Sequence, residues 1–144
     1  IAEAVELFVE DPKLAENKYG AIGTWPTCKV TDLTGATYFR INDDYSDDGE
    51  WRYYDDDDFK LFASKRMFNG DLSDWDISSV TSLHYTFYRA SSFNRDLSDW
   101  DVSSCTIFSY TFYKASSFNG DISSWDVTSA KTLYATFEYA NDFK

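Results

Sequence analysis

Histidine and methionine each occur once in these 144 residues, cysteine and proline twice each, and glycine six times. One histidine (His84) and two cysteines (Cys28 and Cys105) make neither a clustered zinc spacing nor a disulfide framework. The stock of metal-binding and nucleophilic groups is therefore thin, and no catalytic constellation emerges from it. No apolar run approaches the length of a membrane-spanning helix. Positive charge is short as well: 13 basic residues stand against 25 acidic ones, a net charge of -12. That balance disfavours nucleic acid and anionic lipid surfaces, which reward the opposite sign. The chain opens on Ile1 rather than methionine, so it is read as a processed chain or a fragment, with no signal peptide left to read.

Aromatic residues are abundant: 12 Phe, 11 Tyr and 5 Trp make 19% of the chain, far from the composition of a disordered segment. They recur in register. From Phe68 the sequence reads FNGDLSDWDISSVTSLHYTFYRASS, then FNRDLSDWDVSSCTIFSYTFYKASS, then FNGDISSWDVTSAKTLYATFEYAND, a 25-residue unit without insertion. Phe68, Phe93, Phe118 and Phe143 keep step, as do Trp75, Trp100 and Trp125. Ile22, Trp25, Val30 and Leu33 repeat the spacing of Leu72, Trp75, Val80 and Leu83, which marks an older first copy.

A fixed period of this length signals stacked coils, none of which buries its apolar face alone. The expected fold is an α/β solenoid. Each 25-residue coil is predicted to hold a short parallel strand (DLSDWDI) and a short helical turn (SLHYTFYRA). Phe68, Leu72, Trp75, Ile77, Val80, Leu83, Phe87 and Ala90, with their counterparts in the next coils, are expected to point inward. The predicted organisation is an N-terminal helical cap over residues 1–20, a degenerate first repeat over 21–38, an acidic aromatic insertion over 39–61, and three repeats with a partial fourth over 62–144. An amphipathic helix over IAEAVELFVE, a break at Asp11-Pro12 and a stop at Gly20 compose the cap.

The pattern F-N-x-D-[LI]-S-x-W-D-[VI]-S-S, continued by an aromatic helical segment, resembles the BspA-like 25-residue leucine-rich-repeat surface protein family. The lead-in AVELFVEDPKLAENKYGAIGTW is similar to the helical segment that often precedes such arrays. This chain departs from the family in using Leu, Phe or Tyr at core positions where many members have Met. The resemblance implies a leucine-rich-repeat-like fold and an extracellular or cell-surface setting, and no common enzymatic activity.

Stacking turns polar columns into ladders. Asn69, Asn94 and Asn119 suit bonding to turn backbone groups. Asp71, Asp96 and Asp121 form one acidic ladder, and Asp76, Asp101 and Asp126 another. They fit turn caps that accept backbone N–H bonds, a divalent cation between rungs, or paired carboxylates for acid–base work. Thr86, Thr111 and Thr136 form a further column read as structural. Tyr85, Tyr88, Tyr110 and Tyr113 form columns outside the core, candidates for contact with a protein or a glycan.

Within the insertion, nine acids fall between Asp43 and Asp58. Such a run reads as a solvated loop, but Asp44, Ser46, Asp48 and Gly49, with Asp55 at the twelfth position, also follow a calcium-loop pattern. Calcium is the one candidate cofactor, and none is required.

The functional expectation is a non-enzymatic surface or extracellular repeat protein. It would mediate protein–protein contact, adhesion, or assembly into a filament or surface array. The alternative is a calcium- or carbohydrate-binding module that uses the insertion or the Tyr columns. Expected partners are proteins, including copies of the chain itself joined head-to-tail through Phe137 and Phe143 on the last coil, or a glycan. Nucleic acid and membrane insertion are not expected.

Overall fold

A computed structural model describes residues 2–33 and 66–144. Two helices open the chain, α1 (Ala2–Glu10) and α2 (Pro12–Tyr19). Asp11 separates them. Its backbone is extended, its carboxylate accepts the Leu14 N–H, and Pro12 follows at the first helical position, where its missing N–H costs nothing. Gly20, at φ 79°, ends α2 in a conformation that other residues adopt only with strain. A single 3-10 turn, Ile22–Thr24, leads into the first coil. Phe8 of α1 sets its ring edge against Trp25 (6.4 Å) and Phe68 (6.1 Å). The Trp25 indole donates to the Gly20 carbonyl at 2.9 Å.

The repeats stack, but the expected α/β solenoid is not what they form. Residues 68–144 contain no strand and no helix. The predicted strand fails because each coil folds its Asp-x-Ser pairs into tight turns: the Asp71 carboxylate accepts the Ser73 N–H and that of Asp76 the Ser78 N–H. The chain cannot stay extended through two such turns. What remains is one parallel bridge per coil, Asp32 to Ser82 to Ile107 to Thr132.

The predicted helical turn fails for a different reason. Its apolar spacing comes from a chain of overlapping turns. Thr86 N–H bonds the Leu83 carbonyl, Tyr88 that of Tyr85, and Ala90 that of Phe87. Tyr85 and Arg89 have left-handed backbones (φ 60° and 58°), as do Tyr110, Lys114, Ala135 and Tyr139 one and two coils on. Left-handed residues interrupt an α-helix. Here one stands at every fourth residue, Tyr85 and Arg89 in one coil and Tyr110 and Lys114 in the next. Leu83, Tyr85, Phe87 and Arg89 donate to the carbonyls of Ile107, Ser109, Thr111 and Tyr113 in the next coil. Phe108, Tyr110, Phe112 and Lys114 donate to Thr132, Tyr134, Thr136 and Glu138 in the same way.

The core runs down the middle of this stack. Every residue expected inward in the coil from Phe68 to Ala90 is buried. Each Trp side chain also pins its coil to the one before: Trp75 Nε1 donates to Ile22 O (2.8 Å), Trp100 to Leu72 O (2.9 Å) and Trp125 to Leu97 O (2.9 Å). The Thr111 hydroxyl, fully buried, lies within bonding distance of the Leu83 (3.0 Å) and Phe108 (2.7 Å) carbonyls and shares its one proton between them, linking two coils from within.

Equivalent rings in successive coils lie nearly parallel, and the distance between their centroids varies around the coil. It is 5.0 Å at Tyr85–Tyr110 and 5.1 Å at Tyr88–Tyr113. It grows to 5.2 Å at Phe87–Phe112, 5.8 Å at Phe68–Phe93 and 6.3 Å at Trp100–Trp125. Direct backbone bonds also join the coils away from the tyrosines, Leu97 N–H to the Asp121 carbonyl at 3.1 Å and Ser117 N–H to the Ser91 carbonyl at 3.2 Å.

Candidate functional site: a tyrosine and cation face

The turn segments 84–90 and 109–115 carry two columns of tyrosines, the second followed in each coil by a cation, Arg89 or Lys114. Tyr85 stacks on Tyr110 with a 10° interplanar angle, and Tyr88 on Tyr113 with 7°. Within a coil the two columns meet edge to face, 5.1 Å between Tyr85 and Tyr88 and 5.5 Å between Tyr110 and Tyr113. All four rings are half-buried. The Arg89 guanidinium lies 5.3 Å from the Tyr88 ring, and Lys114 Nζ lies 5.4 Å from both Tyr113 and Tyr139. Burial pushes the Tyr110 hydroxyl above the ordinary tyrosine range, with the neighbouring Tyr134 adding to the shift. In the last coil the pattern opens. Tyr134 and Tyr139 turn their rings 76° and 89° from the columns and are 66% and 56% exposed.

The face is thus a rigid aromatic surface with two cations on it, in a strongly acidic chain. Backbone strain accompanies it. A left-handed residue other than glycine costs about 1–2 kcal/mol, and Tyr85, Arg89, Tyr110, Lys114 and Tyr139 all sit there. Sequence inspection finds the Tyr columns but gives no sign of this backbone. It also leaves Arg89 and Lys114 unmarked, although their shared position one residue after Tyr88 and Tyr113 was a readable signal.

The acidic ladders flank the tryptophan column in sequence, at positions 71, 96 and 121 and at 76, 101 and 126. Each carboxylate closes a turn by accepting the N–H two residues on: Asp96 from Ser98, Asp101 from Ser103, Asp121 from Ser123 and Asp126 from Thr128. The hydroxyl and N–H of those residues hold Asp76, Asp101 and Asp126 below the usual carboxylate range, with the hydroxyl leading. For Asp71 and Asp121 the N–H leads. Neighbouring rungs repel, Asp101 against Asp76 and Asp126 against Asp101. Among the described residues no cluster of His, Cys, Asp or Glu has a metal-binding arrangement. The calcium-loop residues Asp44, Ser46, Asp48 and Asp55, with the insertion around them, lie outside the described residues.

The remaining columns are tied into the stack. The Asn69 side-chain oxygen accepts the Asn94 N–H at 3.0 Å, and that of Asn94 accepts the Asn119 N–H at 2.8 Å. These asparagines are exposed, so they link coils from the surface. Thr136 bonds the Phe108 and Leu133 carbonyls. His84 is half-buried, with Nδ1 3.0 Å from the Ser109 carbonyl. Cys105 is buried and donates to the Val80 carbonyl, and burial pushes its thiol up to about 11. Cys28 is exposed.

Phe137 and Phe143 lie elsewhere, on the underside of the coil 119–143. Both are half-buried and stack on each other at 4.2 Å. Leu133 and Val127 beside them are 53% and 39% exposed. The N–H groups of Leu133, Ala135, Phe137 and Tyr139 match the donors of the coils above and meet no acceptor among the described residues. Phe137 and Phe143 thus lie apart from the tyrosine face.

Among the described residues no helix is long and apolar enough to cross a membrane. No curated protein and no solved structure gives a significant match. A family match does extend over the repeats: through residues 49–144, two thirds of its length, the chain belongs to the family described as Mycoplasma protein of unknown function, DUF285.

Proposed function

We propose that this is a non-enzymatic, cell-surface or extracellular repeat protein whose work is contact with other proteins. The observation that carries the reading is the tyrosine face, two stacked columns at 5.0 and 5.1 Å flanked by Arg89 and Lys114. Rigid, half-exposed tyrosines with adjacent cations contribute contact area at low entropic cost, as recognition surfaces require. The similarity of the repeat to the BspA-like surface family supports the setting. A glycan is the second reading, favoured by the open rings of Tyr134 and Tyr139.

The labelled protein should bind a subset of spots on an array of extracellular proteins, and a Tyr110→Ser/Tyr113→Ser variant should lose most of that signal. Signal confined to a glycan array would move the assignment to carbohydrate. Equal protein binding by wild type and variant would refute the face as the site.

A further inference from the structure

Orientation divides the tyrosine contacts into two kinds. Tyr85 and Tyr110 lie face to face, 5.0 Å apart at 10°, and Tyr88 and Tyr113 lie 5.1 Å apart at 7°. For the first pair the backbone imposes the match. Tyr85 and Tyr110 share a left-handed conformation, φ 60° and 59°, so their Cα–Cβ bonds leave the chain in the same sense. The Tyr85 N–H donates to the Ser109 carbonyl at 3.2 Å and that of Tyr110 to the Tyr134 carbonyl at 3.0 Å, which holds the coils in register there. The other contacts are as close but crossed. Tyr85–Tyr88 and Tyr110–Tyr113 meet at 84° and 70°, Tyr110–Tyr134 at 76° and Tyr113–Tyr139 at 89°, with centroids 5.1 to 5.5 Å apart.

That difference decides which rings can be joined. One-electron oxidation of a phenol removes an electron and the hydroxyl proton. The unpaired electron spreads onto the ring carbons beside the one that bears oxygen, in an orbital perpendicular to the ring plane. Two such radicals couple when these orbitals point at each other, which stacked rings provide and crossed rings do not. We propose that the stacked columns are oxidative cross-linking sites, where a one-electron oxidant driven by hydrogen peroxide, such as a haem peroxidase, joins Tyr85 to Tyr110 and Tyr88 to Tyr113 by a carbon–carbon bond. The proposal stands apart from the protein-contact reading, which needs no oxidation.

Each ring of a pair gives up one electron and its hydroxyl proton. A bond forms between one Cε carbon of each ring, and the hydrogen on each of those carbons moves to the oxygen of its own ring, which restores both phenols. The pair has then lost two electrons and two protons. They break the O–O bond of one peroxide and make two waters. Tyr134 and Tyr139, 66% and 56% exposed, meet the oxidant first. Their rings lie 5.4 and 5.5 Å from Tyr110 and Tyr113, close enough for an electron to pass although the crossed orbitals form no bond. The stacked rings then close to a bonding approach of about 3–3.5 Å by rotating about χ1 and χ2. The product ties one coil to the next and restrains the unfolded chain as a disulfide does.

Oxidation of the full chain tests this, dilute and as an equal mixture of isotope-labelled and unlabelled protein. One sample receives a haem peroxidase and hydrogen peroxide. A second receives a photoexcited ruthenium trisbipyridyl complex and persulfate, a one-electron oxidant small enough to reach any half-buried ring. Peptide mapping should place the links at Tyr85–Tyr110 and Tyr88–Tyr113, each as a loss of two hydrogens and without mixed-isotope pairs. Tyr110→Phe keeps the ring and removes the phenol, so it should abolish the first link and keep the second. Tyr113→Phe should do the reverse. In urea the links should scatter over the tyrosines. Peroxide alone, a two-electron oxidant, should oxidise Met67, which is 73% exposed, and form no link. The purified linked chain should melt higher than the unlinked one.

Links chiefly at other tyrosines, such as the exposed Tyr134 and Tyr139, or between molecules overturn the proposal and show that exposure decides. The same link map in urea as in the native chain overturns it, as does the absence of links under both oxidants. Links under peroxide alone overturn the radical route, and an unchanged melting temperature overturns the tie between coils. Should a variant fail to fold, the native map against the urea map of wild type decides.

Discussion

Trp100→Ala is expected to cost about 3–5 kcal/mol, the range for a large aromatic truncated in a core. Trp100 is 2% exposed and sits in the middle of the stack, between Trp125 at 6.3 Å and Phe87 at 5.9 Å. Its indole N–H is a separate contribution. Removing it does not orphan the Leu72 carbonyl, which still accepts the Trp75 N–H at 3.0 Å. Trp100→Phe, which keeps a ring and loses that bond, is therefore expected to cost only about 1 kcal/mol beyond its smaller volume. Trp125→Ala, at a half-buried position with one coil neighbour, should cost about half of Trp100→Ala. For a chain of this size about 3 °C of melting temperature corresponds to each kcal/mol, so Trp100→Ala should melt about 10–15 °C lower. Urea unfolding followed by circular dichroism measures the order directly, provided the slope is unchanged. A cost below about 1 kcal/mol for Trp100→Ala, or an equal cost for Trp125→Ala, would refute the picture of indoles packed between coils.

Two further outcomes follow from the turns and the close approach of the coils. The folded-state pKa values of Asp71, Asp76, Asp101, Asp121 and Asp126 are depressed, so their stabilisation is fully present above about pH 4, the unfolded value, and is lost as pH falls through the lower folded values. Replacing Asp76 and Asp101 by Asn should flatten that acid limb in a pH series of urea midpoints, and an unaltered limb would count against the turns as its source. Gly120→Ala should destabilise by about 1–3 kcal/mol, because a Cβ there would stand 2.0 Å from the Arg95 carbonyl oxygen; a neutral result in thermal unfolding would mean the coils separate easily at that edge.

The core was legible because a 25-residue register needs no knowledge of backbone conformation. Residues in step must occupy equivalent places, and Phe68, Leu72, Trp75, Ile77 and Val80 are buried as that logic requires. The strand-plus-helix description failed because apolar spacing fixes where side chains go but not how the backbone takes them there. Leu83, Phe87 and Ala90 share a side in an α-helix, and they also share one in a run of overlapping turns. What decides between the two is the left-handed backbone at Tyr85 and Arg89, and neither residue type announces it. The strand carried a better warning. Asp is followed two residues later by Ser or Thr at 71, 76, 96, 101, 121 and 126, the signature of a side-chain-closed turn, and six such turns leave no room for extended chain.

That left-handed backbone also separates what the tyrosines do for the fold from what they do on the surface. Position 110 holds Tyr, while the equivalent position one coil on holds Ala135 in the same conformation, so the stack does not require an aromatic ring there. Tyr110→Gly relieves about 1–2 kcal/mol of backbone strain. It loses about 1 kcal/mol of ring stacking on Tyr85 and adds about 0.5–1 kcal/mol of chain entropy to lose on folding. The terms nearly cancel, and the net change in stability should lie within about 1 kcal/mol of zero. Tyr110→Val keeps the strain, loses the ring and adds a branched Cβ, so it should be the worse substitution by about 1 kcal/mol or more. Protein binding should fall sharply in both variants, whatever their stability. Urea unfolding alongside array binding separates the two effects. A loss of 3 kcal/mol or more in Tyr110→Gly would show that the ring is part of the core, and the strain at Tyr110 would then have to be explained by packing rather than by contact with a partner.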